Sequence, residues 1–405
     1  MESWNDVAVA AIPGEPPQLR LYTSVLDAVT PVPTQAQYRM YVCGITPYDA
    51  THLGHAATYV AFDLVNRQLR DAGGQVRYVQ NVTDIDDPLL ERAERDGVDW
   101  QSLAVAQTEL FREDMQALRV IPPDHYIGAV ESMNIVSEAV IELRERGAAY
   151  QLDDGTGDYY HDIRSIPNFG YVSRYDEATM LEFFAERGGD PDRAGKRHRL
   201  DPLLWRGRRE GEPYWASSLG AGRPGWHVEC AAIALKYLGT TIDVQGGGSD
   251  LRFPHHEYSN AHAEVITGEA PFAGHFTQAG MIQLDGEKMS KSKGNLEFVS
   301  RLRERGVDPM AIRLGILAGH YRADRDWSEA LLAQAQERLD SWRSAITRGG
   351  AGSEIVIAQM RERLADDLDT PSVLRLIDDW ATDEVDGGGG RSIEAAVDGL
   401  LGVKL

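Results

Sequence analysis

Both cysteines of the chain lie among other residues capable of chemistry. Cys43 falls in Met40-Tyr41-Val42-Cys43-Gly44-Ile45-Thr46, just ahead of His52-Leu53-Gly54-His55, and Cys230 ends Gly225-Trp226-His227-Val228-Glu229-Cys230. The segment Phe253-Pro254-His255-His256-Glu257 adds imidazole. Two thiolates and an imidazole form a soft donor set that suits zinc. A zinc ion with one open position binds a thiolate directly, and the coordinating thiol loses its proton. Sulfur thereby gains a bond that a hydroxyl cannot match, whereas an apolar pocket separates such near-isosteres poorly. Cys43, Cys230 and His255 are therefore the expected ligands of a site that recognises a thiol. Each alone would read as a small buried hydrophobe or a core histidine.

Phosphate chemistry is signalled by a second set of residues. His52 and His55 lie three apart at the start of a helical pattern, so both face the same side of a helix N-terminus. That terminus presents unpaired N–H groups and partial positive charge, and Gly54 lets a nucleotide approach the backbone. Much later comes Gly286-Glu287-Lys288-Met289-Ser290-Lys291-Ser292-Lys293-Gly294-Asn295, whose lysines can neutralise a departing pyrophosphate on a loop able to close over ATP. Alone, the lysine segment reads as a solvated loop and the two histidines as caps. Together, in this order, they point to ATP activation.

The elements that must position these groups follow from periodicity. Arg39 to Gly44 reads as a strand. Ala56 to Arg70 carries Val60, Leu64, Val65 and Leu69 at helical spacing, and Gln75 to Val82 reads as a second strand. Thr83-Asp84-Ile85-Asp86-Asp87-Pro88 then carries helix-start signals. Strands alternating with helices predict a doubly wound parallel sheet. Helical patterns fill roughly 88 to 147, and Tyr150 to Ile163 reads as an antiparallel hairpin. Residues 164 to 224 read as an insertion with few regular elements. The sheet is expected to resume near Trp226 and again at Thr240 to Gly246. After Asn295 the pattern is helical, broken by flexible connections at Arg348 to Ser353 and Gly387 to Gly390. The expected division is a 1–37 extension, a 38–120 first half of the nucleotide fold, a 121–215 insertion, a 216–295 second half, and a 296–405 helical linker and bundle.

The paired motifs resemble those of the class I aminoacyl-tRNA synthetases. Within that class, Met40-Tyr41-Val42-Cys43-Gly44, Arg223 to Cys230, Gly246-Gly247-Gly248-Ser249-Asp250-Leu251 and Phe253 to Glu257 are similar to the cysteinyl-tRNA synthetase type. The resemblance runs from about residue 38 to about residue 380. It implies a class I Rossmann-like fold with an inserted connective region and a C-terminal helical bundle. It also implies formation of cysteinyl-AMP from ATP, with Mg²⁺ on the phosphates. By resemblance, His52, His55, Lys288 and Lys291 stabilise the transition state. Gly44, Ile45, Thr46 and Thr58 surround the cysteinyl group. Asn81, Val82, Thr83, Trp226, Gly248, Ser249 and Asp250 line the adenylate pocket, with Asp250 a candidate for the substrate ammonium. Ile282 meets adenine through its backbone. Family members read His-His-Glu-Asn-Glu and use the last Glu as a fourth zinc ligand. Here Ser259 stands in that place, so three protein ligands are expected, with His256 or Glu257 as possible compensation.

Departures from the tRNA-charging type point to an acceptor other than tRNA. Asp366-Asp367-Leu368-Asp369-Thr370-Pro371 resembles a bundle segment, and too little chain follows for an anticodon-binding domain. Glu186-Arg187-Gly188-Gly189-Asp190-Pro191 is foreign to tRNA-charging members. These features resemble the cysteine ligases of mycothiol biosynthesis, which pass a cysteinyl group from its adenylate to the amine of glucosaminyl-inositol. A compact tRNA-charging enzyme and a non-catalytic zinc- or nucleotide-binding paralogue are the alternatives. The formal net charge of −22 gives no general attraction to nucleic acid. A basic run from Arg193 to Arg209 is the exception, readable as a solvated loop or a phosphate patch. No apolar run approaches the ~20 residues of a membrane span, and Met1 to Asp6 lacks signal-peptide features. A cytoplasmic monomer using small-molecule substrates, with no nucleic acid or membrane partner, is expected. The acceptor's base is open among Asp49, Asp84, Asp86 and Asp250.

Overall fold

The computed structural model describes residues 1–49, 51–284, 287–288, 296–348, 353–382 and 390–405. A short antiparallel hairpin, β1 (Arg20–Thr23) and β2 (Ala28–Pro31), precedes the catalytic core. The core begins with β3 (Gln37–Val42), α1 (Leu53–Asp71) and β4 (Gln75–Val82). Next come α2 (Asp87–Asp96), α3 (Trp100–Ala117), β5 (His125–Gly128) and α4 (Met133–Glu145). Four further strands and a helix form the insertion: β6 (Ala149–Gln151), β7 (Tyr159–His161), α5 (Glu177–Glu186), β8 (Leu203–Gly207) and β9 (Gly222–Pro224). The core resumes with α6 (Trp226–Leu238), β10 (Ile242–Gly248), α7 (His255–Thr267) and β11 (Ala273–Ala279).

The central sheet has the order β11-β10-β3-β4-β5, and every neighbouring pair is parallel. Its middle strands are buried along most of their length, as helices on both faces require. The strand order reverses between β3 and β10. In such sheets the ligand crevice opens at that switch point, beyond the carboxyl ends of the strands. Cys43 and Gly44 follow β3 directly, and Gly248 ends β10.

The expected strand at Gln75 to Val82 and the expected hairpin both form as read. Three expectations change. A third parallel strand, β5, lies past residue 120. At four residues it is too short to show periodicity against its helical flanks. The insertion is more regular than its Gly, Pro and Arg content suggests, because β6-β7-β8-β9 make an antiparallel sheet and α5 packs Phe184 against Tyr258. Trp226 opens a helix, not a strand. The run that follows is buried on nearly every side, which erases helical periodicity.

Beyond β11 lie the short strands β12 (Ile282–Leu284), β13 (Glu287–Lys288) and β14 (Arg325–Trp327), which share one small sheet. The helices α8 (Val299–Glu304), α9 (Pro309–Leu317), α10 (Glu329–Arg348), α11 (Ser353–Ala365), α12 (Thr370–Thr382) and α13 (Gly390–Ala396) complete the chain. Their apolar faces join the core of the central sheet through α1. Two buried arginines tie this junction. Arg67 and Arg313 both pair with Asp63, and they also donate to the carbonyls of Asp398 and Leu401, respectively. Burial opposes the charge on Asp63, but the two guanidinium groups outweigh it and hold its carboxyl below the usual range. Gly349–Gly352 and Gly387–Gly389, expected as flexible connections, lie outside the described residues.

Candidate active site and metal centre

A cleft of about 1840 Å³ opens over the switch point. Cys43, just past the end of β3, lines the cleft, and the other two predicted ligands lie buried behind it: Cys230 on α6 and His255 in the first turn of α7. Their ligand atoms lie within 4.8 Å of one another and all three residues are buried. His255 Nε2 is 3.1 Å from Cys230 Sγ, and Gln245 Nε2 donates to Cys43 Sγ at 3.2 Å. The other ring nitrogen of His255 meets Nδ1 of buried His227 at 3.1 Å, which fixes the ring and leaves Nε2 for a metal. Burial opposes ionisation of Cys230, yet a hydrogen bond with Cys43 and the nearby His255 ring hold its thiol well below the ordinary range. Burial and the Cys230 contact push the Cys43 thiol up. A paired, buried two-sulfur, one-nitrogen set of this size suits zinc.

Of the three candidates for a fourth ligand, Ser259 and Glu257 are used elsewhere, while His256 keeps a buried Nε2 without a partner among the described residues and is not one of the converging ligand atoms. Ser259 Oγ donates to the His256 carbonyl of its own helix at 3.4 Å. The Glu257 carboxylate accepts the N–H groups of Gly170 and Ser173, at 2.9 and 2.7 Å, and so anchors the insertion. His256 Nδ1 meets Gln278.

The end of the cleft expected to take the nucleotide is built on α1. His52 is the N-cap: its Nδ1 accepts the His55 N–H at 3.3 Å, and the two rings stack with centroids 3.7 Å apart. Burial lowers the His52 pKa to about 4 and lowers His55 well below its usual value, with the neighbouring His52 contributing. Both rings are therefore neutral near pH 7 and act as N–H donors rather than as fixed cations. His55 Nδ1 has no partner among the described residues.

The remaining predicted residues divide into two sets. Gly44, Ile45, Thr46, Thr58, Trp226, Gly248 and Asp250 line the cleft. The Trp226 ring lies 4.4 Å from that of His255, which puts an aromatic face beside the candidate metal ligands. Asn81, Val82 and Thr83 do not line it. They are buried behind the wall, where Asn81 Oδ1 accepts the Gly44 N–H at 2.8 Å and Asn81 Nδ2 donates to Thr83. Ser249 is likewise off the cleft surface, and Ile282 is buried with its neighbour Met281 at the surface instead. Lys288 is described only as a strand partner of Gln283, and Lys291 lies outside the described residues.

These features coincide with two sets of known proteins. The chain matches the family "tRNA synthetases class I (C) catalytic domain" over residues 30–337. The L-cysteine:1D-myo-inositol 2-amino-2-deoxy-alpha-D-glucopyranoside ligase of Nakamurella multipartita is 62% identical, with 100% of both chains covered. That of Geodermatophilus obscurus is 61% identical over 100% of this chain and 99% of the relative. The chain belongs to this ligase family. It is an ATP-using ligase on a class I synthetase catalytic fold. The fold is also that of Mycobacterium tuberculosis methionyl-tRNA synthetase in complex with methionyl-adenylate. The TM-score is 0.65 at 16% identity, covering 91% of this chain and 92% of that one.

The acidic candidates for a base separate by position. Asp49 pairs with Arg92, and Asp84 accepts the Val130 N–H at 2.8 Å behind the cleft. Asp86 and Asp250 line the cleft. Burial raises the Asp86 pKa to about 6, and the same carboxylate caps α2 by accepting the Asp87 N–H. Sequence reasoning missed Glu229, a buried cleft residue whose Oε2 has no partner among the described residues. Its place beside Cys230 was the available signal. Most of the basic run resolves into ion pairs: Arg193 with Asp154 and Asp158, Lys196 with Asp190, Arg199 with Asp192, and Arg209 with Asp158, while Arg208 lies over the Tyr214 ring.

Proposed function

We propose that the chain activates L-cysteine as cysteinyl-AMP and transfers the cysteinyl group to the amine of glucosaminyl-inositol, the ligation step of mycothiol biosynthesis. The observation that carries this reading is the buried Cys43–Cys230–His255 cluster, whose Cys43 lines the same cleft as His52 and His55, in a chain related over its length to ligases named for this reaction. Zinc held by those three residues would bind the substrate thiolate and so select cysteine over serine. The N–H groups of His52, His55 and the α1 N-terminus receive ATP phosphate oxygens. The Gly44 backbone, Thr46 and Thr58 surround the cysteinyl group, and Trp226 covers it. The cysteine carboxylate attacks the α-phosphorus in line and pyrophosphate leaves, its charge met by Lys288 and Lys291; Mg²⁺ would enter with the ATP substrate. Ile282 offers its backbone to adenine. In the second step the acceptor amine attacks the acyl carbon, AMP departs, and Asp86 takes the amine proton.

Internal pairing of the basic run removes the main feature that favoured tRNA as acceptor. The two unpaired, buried thiols suit a reducing compartment, and we place the enzyme in the cytoplasm. AMP release with ATP, cysteine and zinc-replete protein tests the reading, with glucosaminyl-inositol and cysteine tRNA compared as acceptors. Turnover with the amino sugar alone is expected. Turnover with tRNA alone would overturn it.

A further inference from the structure

The cleft extends well past the switch point, toward α2 and the insertion, and its far wall carries a closed set of four charged side chains. Arg206 of β8 donates to Glu212 at 2.8 Å and lies 3.5 Å from Asp87 at the start of α2. Arg223 of β9 donates to Asp87 and, at 3.2 Å, to Glu212. All four line the cleft. The Arg223 side chain is only 6% exposed, whereas that of Asp87 is 52% exposed and that of Glu212 26%. The carboxylates thus keep lone pairs open to the cleft. Arg206 Nε, shielded from solvent, has no acceptor among the described residues. Trp100, at the start of α3, also lines this cleft and meets Trp215 edge-on at 6.5 Å, and Trp215 pairs with Gly222, the neighbour of Arg223.

We propose that Asp87, Arg206, Glu212 and Arg223, with Trp100 beside them, seat the hydroxyl groups of the acceptor. The inference rests on the proposed function and deepens it. Two guanidinium groups and two carboxylates sum to no net charge, so the wall suits an uncharged polyol rather than a phosphate. Each hydroxyl both donates and accepts, which matches alternating carboxylate and guanidinium groups. The apolar face of a sugar or cyclitol ring packs on an aromatic such as Trp100. The placement is also right for transfer. Asp87 adjoins Asp86, and Arg223 lies on the strand leading into Trp226, whose ring covers His255. Hydroxyls seated on this wall put the acceptor amine at the end of the cleft where the acyl carbon waits.

Steady-state kinetics with Glu212→Gln and Arg206→Met test the assignment. Each substitution removes hydrogen bonds to a polar ligand, so KM for glucosaminyl-inositol should rise roughly tenfold or more. KM for cysteine in ATP–pyrophosphate exchange should stay within about twofold, since the adenylate is bound elsewhere. A wall that merely ties α2 to the insertion would lower exchange and amide formation together, and that result would overturn the proposal. So would an unchanged acceptor KM in both variants. Absence of wild-type turnover with glucosaminyl-inositol is a separate outcome that refutes the functional reading itself.

Discussion

Gly44 follows β3 at the centre of the thiol pocket, and a single methyl group there should be severely damaging. A Cβ on Gly44 would sit 1.6 Å from the Asn81 carbonyl oxygen and 2.5 Å from its carbon, where ordinary contact begins at 3.4 Å. The deficit, 3.4 − 1.6, is 1.8 Å. Both obstructing atoms are backbone of β4, so no side-chain rotation relieves it. The ends of β3 and β4 must part, and the Gly44 N–H to Asn81 Oδ1 bond is strained or lost with them. Overpacking strain of ~1–3 kcal/mol plus one buried hydrogen bond of ~1 kcal/mol gives a destabilisation of about 2–4 kcal/mol. The catalytic effect is larger, because displacing a reacting group by ~1 Å costs on the order of 10²-fold in rate. Cys43 is the neighbouring residue, so the thiol site moves as well. Gly44→Ala should therefore lose about 10²-fold in ATP–pyrophosphate exchange. Its midpoint of thermal unfolding should also fall, while the helical content persists. Exchange within a few-fold of wild type would refute the argument that this close approach sets the geometry of the cysteinyl pocket.

Asp86→Asn separates the two roles of that residue: Asn caps helices as well as Asp, so α2 and the exchange reaction should survive, while amide formation falls ~10²-fold or more. In the wild type, kcat/KM for the acceptor should gain activity as pH rises through about 6, where Asp86 loses its proton, and the variant should lack that inflection. Exchange should show no matching inflection from His52, whose pKa of about 4 keeps it neutral throughout that range. Metal analysis should find zinc lost in Cys43→Ala and retained in Ser259→Ala, because Ser259 Oγ is bonded to its own helix; loss in the latter would sink the three-ligand site. His227→Phe, which removes the partner of His255 Nδ1, should weaken zinc affinity by roughly 10–100-fold in a chelator competition, and an unchanged affinity would show that His227 does not position the ligand.

Much of the site was legible because its chemistry is local. His52 caps the helix that its own spacing announces, and Asp86 followed by Pro88 marks the start of α2. Such signals live in a few neighbouring residues and survive without tertiary context. Burial erases other signals. The segment after Trp226 is buried on nearly every side, which hides its helical period, though packing between β4 and α7 makes it a helix. Asn81 was expected by resemblance to line the adenylate pocket. Its carboxamide oxygen accepts the Gly44 N–H behind the cleft wall, a contact between β4 and the end of β3 that local sequence does not show. Nothing in the sequence reveals the ring formed by Asp87, Arg206, Glu212 and Arg223, whose members come from α2, β8, a turn and β9.

The sequence by itself determined the donor types, the nucleotide motifs and the alternation of strand and helix, because each depends on side-chain identity and short-range spacing. Only the tertiary structure decided what those groups face. Parallel pairing of β3 with β10 brings Cys43 beside residues some two hundred positions away, and the packing of α6 on α7 brings Cys230 and His255 together as the other candidate metal ligands. Burial then fixes the protonation of His52, His55 and Asp86, because removing a charged form from water shifts its equilibrium by an amount no sequence distance encodes.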